Sequence, residues 1–305
     1  MSTEESIKRV YGWVPDLPST NNNFLLTAHS TVIRKFPPKM SLTNLPPVYD
    51  QGQLGSCTAN ALGGAFEYEQ IKQGLADFMP SRLFIYYNER KLEDNIPYDT
   101  GASICDGIKT LTKDGVCPEQ LCPYDIEEFA TCPSENAYKV ALDHQISSSM
   151  RVQPNINAFK TIINMKLPIV FGFTVYSSFE SQEVAKSGMM PLPINSEKVL
   201  GGHAVICVGY DDTLKSADKT TVGYLKIRNS WGPNWGQQGY FWMPYAFVDK
   251  MKLVSDSWAI MKNEEPLKLN KMMSKPEHEN ILNKLKNFVK KIPSMQIVVK
   301  TDEGN

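Results

Sequence analysis

Apolar positions change their period near the middle of the chain, from helical spacing to strand-like runs. Between residues 41 and 145, Ala61, Leu62, Ala65, Phe66 and Ile71 recur at spacings of one, three, four and five residues. That pattern predicts a helix with one face buried in a core. Ile108, Leu111 and Thr112 predict a second, shorter helix that stops at Gly115. Residues 146–262 read differently. Runs at 167–176, 204–210, 222–228, 239–243 and 258–262 are β-branched or aromatic and are separated by Gly, Pro, Asp and Ser. Helices followed by strands predict an α+β architecture of two lobes.

Two flanking stretches lie outside this pattern. Residues 1–40 are rich in turn-formers (Pro15, Pro18, three asparagines from Asn21, then Pro37 and Pro38) and read as a segment lying over a surface. Residues 263–305 hold a capping-box spacing, Ser274 to Glu277, with Pro276 in the first turn. Ile281, Leu285, Phe288 and Ile292 follow as a helical stripe, ended by Pro293. Between residues 266 and 300 there are eight lysines against two glutamates. A helix packed on its own domain with solvated lysines is the favoured reading; a nucleic-acid or membrane anchor is the rival.

Composition narrows the class without defining it. The chain has 305 residues, 42% hydrophobic and 21% charged, as in ordinary globular proteins. A net charge of −1 removes any whole-molecule attraction to nucleic acid or an anionic membrane. The first residues, Met1 to Arg9, carry acids and no apolar stretch, so no signal peptide is expected. The longest apolar run, around Leu167 to Val175, is too short for a membrane span. Six cysteines show no CxxC pair, and Cys117, Cys122 and Cys132 with His144 match no common zinc spacing. Free thiols, no metal and no cofactor are expected, in an intracellular (cytoplasmic) setting or packaged in a particle.

Three short motifs carry chemistry. In Gln51-Gly52-Gln53-Leu54-Gly55-Ser56-Cys57-Thr58-Ala59-Asn60-Ala61, a glycine-containing loop runs into a helix with a cysteine at the junction. Free N–H groups at a helix start favour a thiolate and can also stabilise an oxyanion. Gln51 supplies a second amide donor. Alone, this Cys57 reads more readily as a buried structural thiol. In Gly201-Gly202-His203, two glycines that admit another backbone precede a histidine entering an apolar strand. Alone, that histidine serves equally as a satisfied strand-end residue. Asn229-Ser230-Trp231-Gly232 follows a predicted strand. Its carboxamide suits an imidazole N–H and its indole can shield the contact, although half of the motif would pass as an ordinary turn.

Jointly the three are specific. The order Cys, His, Asn and the separation of Cys57 from His203 match the papain spacing. With its flanking glycines and tryptophans, the sequence from about Ser41 to Lys262 resembles the papain/cathepsin family of cysteine peptidases, in the form of its bacterial and giant-virus members. The resemblance implies a papain-like fold: a helical left lobe carrying Cys57, a β-barrel right lobe carrying His203 and Asn229, and a cleft between them for a peptide or protein substrate. It makes Cys57 the nucleophile, His203 the proton shuttle and Asn229 its orienting group. Gln51 and the Cys57 N–H become the oxyanion hole, and Trp231 the cover of the Asn229–His203 contact. Gly101 and Ser103 align loosely with the substrate-binding strip, and Gly201 and Gly202 with the edge of the main specificity pocket.

The departures are informative. Leu54 and Thr58 replace the family's usual cysteine and tryptophan beside the nucleophile, and the long helical pro-domain has no counterpart. The expected activity is that of an endopeptidase, with an aminopeptidase-like or amide-transfer member as the alternative. A catalytically silent binding module is disfavoured by the intact Gln51, Cys57, His203 and Asn229. A monomer is expected. Tyr11, Trp13, Val14 and Leu17 could dock in or beside the cleft, making residues 1–40 either a short propeptide or a permanent strap.

Overall fold

A computed structural model describes residues 9–16 and 36–263. The predicted C-terminal helix and Leu17 lie outside these residues.

The first helix, α1 (Cys57–Gln73), ends at Gly74, whose left-handed backbone (φ 68°) lets its N–H return to the Ile71 carbonyl at 3.1 Å. The sequence pattern predicts one buried face; instead every residue from Cys57 to Gln70 is buried. The reason is position. α1 is a central rod, with α2 (Arg82–Leu92) and α3 (Ile104–Lys113) against it on one side and two long strands on the other. α2 and α3 start at serine caps, Ser81 and Ser103, each accepting a backbone N–H from three residues ahead. α3 gives way at Asp114 to Gly115 (φ 71°), as the sequence predicts.

The other half of the fold is an antiparallel sheet, drawn from the second half of the chain except for one short strand ahead of α1. Its strands are β1 (Lys39–Ser41), β2 (Ile146–Val152), β3 (Ile169–Tyr176), β4 (Val199–Lys215), β5 (Val222–Arg228), β6 (Tyr240–Pro244) and β7 (Val254–Asn263). They lie in the order β2-β7-β3-β4-β5-β6, with β1 added along the far part of β4. Within this half the expectation of a β-barrel is corrected, because the sheet does not close. The outer edge of β6 is taken by the irregular segment 188–190: the Trp242 N–H donates to the Gly188 carbonyl at 2.7 Å, and the Trp242 carbonyl accepts the Met190 N–H at 3.1 Å. Among the described residues β2 pairs with β7 alone. The apolar face is covered by packing instead, including Phe173, Phe179, Phe241 and Phe247 in edge-on contacts. The architecture remains α+β, as the sequence predicts.

Two carboxyls of α1 are buried where the helix meets its surroundings. Glu67 accepts the Tyr49 hydroxyl, and Glu69 pairs with Lys72 at 2.6 Å. Loss of hydration pushes both up to about 7. The folded chain therefore keeps protons that the unfolded chain releases from about pH 4.5 upward. Their stabilising effect is complete below that value and is lost as pH rises through about 7. Glu67→Gln, which cannot ionise, is expected to gain on the wild type by about 2 kcal/mol in urea unfolding between pH 4.5 and about pH 8. Parallel pH–stability curves would contradict this.

Candidate active site

The loop before α1 is held on several sides. Gly52 turns with φ 60° and donates its N–H to Asp50, while the Gly55 N–H donates to Asp99 at 3.0 Å. Tyr124 donates its hydroxyl to the Gln51 carbonyl at 2.9 Å. These contacts set Cys57 as the first residue of α1, facing the middle of β4. The Ala204 N–H of β4 points at its sulfur from 3.4 Å, and the Gly12 and Thr58 backbones act in the same sense, to favour the thiolate.

Sheet register brings the histidine and the asparagine together. Ile206 of β4 pairs with Arg228 of β5, so His203 and Asn229 meet at one end of the strand pair. His203 Nε2 lies 2.8 Å from Asn229 Oδ1, which also accepts the Ser230 N–H at 2.9 Å. That contact makes Nε2 the protonated nitrogen and leaves Nδ1, buried and without a hydrogen-bond partner among the described residues, able to take up a proton. Trp231 stacks on the imidazole, with centroids 5.1 Å apart and planes 24° apart. Gln51 is aimed by Ser230, whose hydroxyl donates to Gln51 Oε1 at 2.7 Å, so that Nε2 faces the loop and the cleft. The five residues that the sequence joins as one site therefore lie together.

Residues 9–16 run through this cleft. The Trp13 N–H donates to Gly202, and the Gly12 and Val14 backbones pair with Ala102 in the parallel sense. The Val10 carbonyl accepts from Gln51 Nε2 at 3.3 Å. Tyr11 packs edge-on to His203 and donates its hydroxyl to Glu180, and the Arg9 guanidinium lies 4.7 Å over the Trp231 ring. Trp13 is only 9% exposed. A Cβ on Gly172 would stand 1.9 Å from its indole, and one on Gly202 2.5 Å away. Gly201 gives room to Tyr11, and Gly101 (φ 77°) to the Gly12 carbonyl. Ser103, by contrast, is engaged in capping α3, and the strip meets the segment through Gly101 and Ala102. Gly172, Ser230 and Glu180 are not among the residues singled out from the sequence. Gly172 alone leaves a sequence signal, as an isolated glycine within a predicted strand.

Burial reverses the electrostatics expected of a helix start. Desolvation pushes the Cys57 thiol up to about 11, against the pull of the surrounding N–H groups. It also pushes His203 down to about 4, with the Arg9 charge adding to the effect against the Asn229 hydrogen bond. Thiol and neutral imidazole are therefore the forms held under the segment.

With this geometry in view, relatives define the class. The profile of the papain family cysteine protease matches residues 34–259. The chain belongs to that family and is a cysteine peptidase. It is 38% identical to a peptidase C1-like protein of Acanthamoeba polyphaga mimivirus over 291 residues, covering 86% of this chain and 90% of that one. Among solved structures it resembles xylellain, a cysteine protease from Xylella fastidiosa, at 41% identity and a TM-score of 0.76, over 86% of this chain and 99% of that one. A procathepsin B from Trypanosoma congolense shares the fold at 15% identity and a TM-score of 0.65, over 84% of this chain and 86% of that one. Among the described residues no helix is long and apolar enough to cross a membrane, and no cluster of ligating side chains is placed to hold a metal ion.

If the segment is what covers the sulfur, Trp13→Ala should speed iodoacetamide labelling of Cys57 in the full-length chain by about tenfold or more at neutral pH. It should also move the onset of labelling to lower pH, because a rehydrated thiolate forms more easily. An unchanged rate and onset would show that the indole does not hold the segment down.

Proposed function

We propose that the chain is a cysteine endopeptidase that folds with part of residues 1–40 lying in its cleft as an inhibitor. Cys57 is the nucleophile, His203 carries the proton and Asn229 orients the imidazole under Trp231. The thiol proton passes to His203, sulfur adds to the scissile carbonyl, and the imidazolium returns a proton to the departing amine. Water then releases the acyl group from sulfur. Gln51 Nε2 and the Cys57 N–H stabilise the oxyanion, each donor typically worth about 3 kcal/mol.

The observation that carries this reading is the course of residues 9–16, which extend past the sulfur in both directions. Arg9 reaches Trp231 on the side of the proton donor, and Trp13 and Val14 reach Gly202 and Ala102 on the other. A groove continuing both ways suits cleavage within a chain. The leaving amine must lie near His203, so a substrate would run from the Ala102 side toward Trp231. The segment runs the opposite way, and its Gly12 backbone acts on the thiol through an N–H. A reversed backbone is a poor acyl donor, because its amines leave on the wrong side of the sulfur. The pocket around Trp13, the strip at Gly101 and the edge at Gly201 and Gly202 serve the acyl side of the substrate. The protein acts as a monomer in this reading.

Cys57→Ala is expected to abolish hydrolysis of N-blocked fluorogenic peptides while keeping the wild-type circular dichroism. Undiminished turnover in that variant would end the assignment, and a strict requirement for a free α-amine would move it to an aminopeptidase. A positional peptide library should favour aromatic side chains on the residue preceding the one whose carbonyl is attacked. Gly172→Val should turn that preference toward small side chains. A profile indifferent to both would mean that the pocket serves the segment alone.

A further inference from the structure

Beneath the nucleophile lies a carboxyl that the chemistry above does not use. Glu89 of α2 has no exposed surface. It sits where three helices meet. Thr58 of α1 donates its hydroxyl to Glu89 Oε2 at 2.8 Å, and a Cβ on Gly107 of α3 would stand 2.4 Å from Oε1. Oε1 has no hydrogen-bond partner, and no ion pair to Glu89 forms among the described residues. An uncompensated carboxylate at such a place would lose its hydration with no cation to replace it, so the group is held as the neutral acid. Desolvation accordingly pushes it well above the usual carboxyl range.

Stability does not account for this residue. One hydrogen bond from a threonine stabilises by less than burying a carboxyl with one oxygen unpaired costs. Its partner suggests another purpose. Thr58 follows Cys57 in the first turn of α1, so whatever fixes Thr58 also fixes the backbone that carries the sulfur. Thr58 is also where this sequence departs from the papain pattern. We propose that Glu89 is a positioning residue for the nucleophile: by holding the Thr58 hydroxyl, it fixes the first turn of α1 and with it the place of the Cys57 sulfur. The inference rests on Cys57 being the nucleophile.

The carboxyl must stay neutral to do this. An anion there would oppose the thiolate, since the Glu89 charge acts to raise Cys57. An isosteric neutral acceptor should therefore replace it, whereas loss of either end of the contact should not be tolerated.

The test uses the full-length chain, with the pH dependence of Cys57 alkylation read by peptide mass alongside kcat and KM. The segment covers Cys57 in every variant, so ratios to the wild type report the thiol. Thr58→Val keeps the volume and loses the hydroxyl. It is expected to raise the alkylation midpoint by about half a pH unit and to lower kcat about tenfold with KM unchanged. Glu89→Ala should do the same. Thr58→Ser and Glu89→Gln, which keep a hydroxyl and a neutral acceptor, should restore the wild-type midpoint. A Thr58→Val enzyme indistinguishable from the wild type would overturn the proposal, as would a midpoint lowered by Glu89→Gln, the sign of a resident carboxylate. Alkylation is read without turnover, so failure here is distinct from failure of Cys57→Ala to abolish hydrolysis.

Discussion

The contact between the first turn of α1 and the middle of β4 is the joint on which the structure depends. It places a sulfur from one half of the chain against the backbone N–H of Ala204 in the other half, next to His203. Close approach is possible because Gly64 has no side chain: a Cβ there would lie 2.9 Å from the Ile206 methyl of β4. Register does the remainder. Once β4 and β5 pair as they do, His203 and Asn229 share an end of the sheet and Ser230 can steer Gln51 back toward the loop before α1. The proposed site is thus a consequence of one helix–sheet interface and one strand register, with few further constraints.

The same interface explains why the site is quiet in this conformation. A helix start ordinarily favours a thiolate, by an interaction worth about 1 kcal/mol. Complete burial works in the other direction and is the larger effect, so Cys57 moves up and His203 moves down. Tyr11, Gly12 and Trp13 complete the enclosure because the cleft is lined with glycines on both walls. In the proposed reading, latency therefore needs no distortion of the cysteine, histidine or asparagine. Exclusion of water from an otherwise assembled group of side chains is sufficient.

Much of this was legible in the sequence because it is local. The glycine-containing loop, the cysteine at a helix start and the strand carrying His203 are short patterns with a clear physical meaning, and the papain spacing links them. Other features were not legible, because they depend on what lies opposite. α1 reads as amphipathic, yet sheet and helices bury it on every side. Five predicted strands give no sign that segment 188–190 will occupy the edge of β6 and keep the sheet open. Ser103 resembles part of a binding strip, but three residues later Asp106 supplies the N–H that makes it a cap. Nothing in the sequence marks Glu89, and only the arrangement of three helices buries it. The tendency of Tyr11, Trp13 and Val14 to seek an apolar site is evident from composition, whereas the direction of the segment across the sulfur is set by its pairing with Ala102 and Gly202, far away in the chain.

The central claim is that the Cys57 sulfur carries the acyl group during turnover. The most direct measurement is rapid acid quenching of the enzyme with a slowly deacylating ester substrate, followed by peptide mass analysis. The account predicts a thioester adduct on the peptide containing Cys57, formed in a burst and lost at the steady-state rate. Continued product formation with no adduct on that peptide would contradict it.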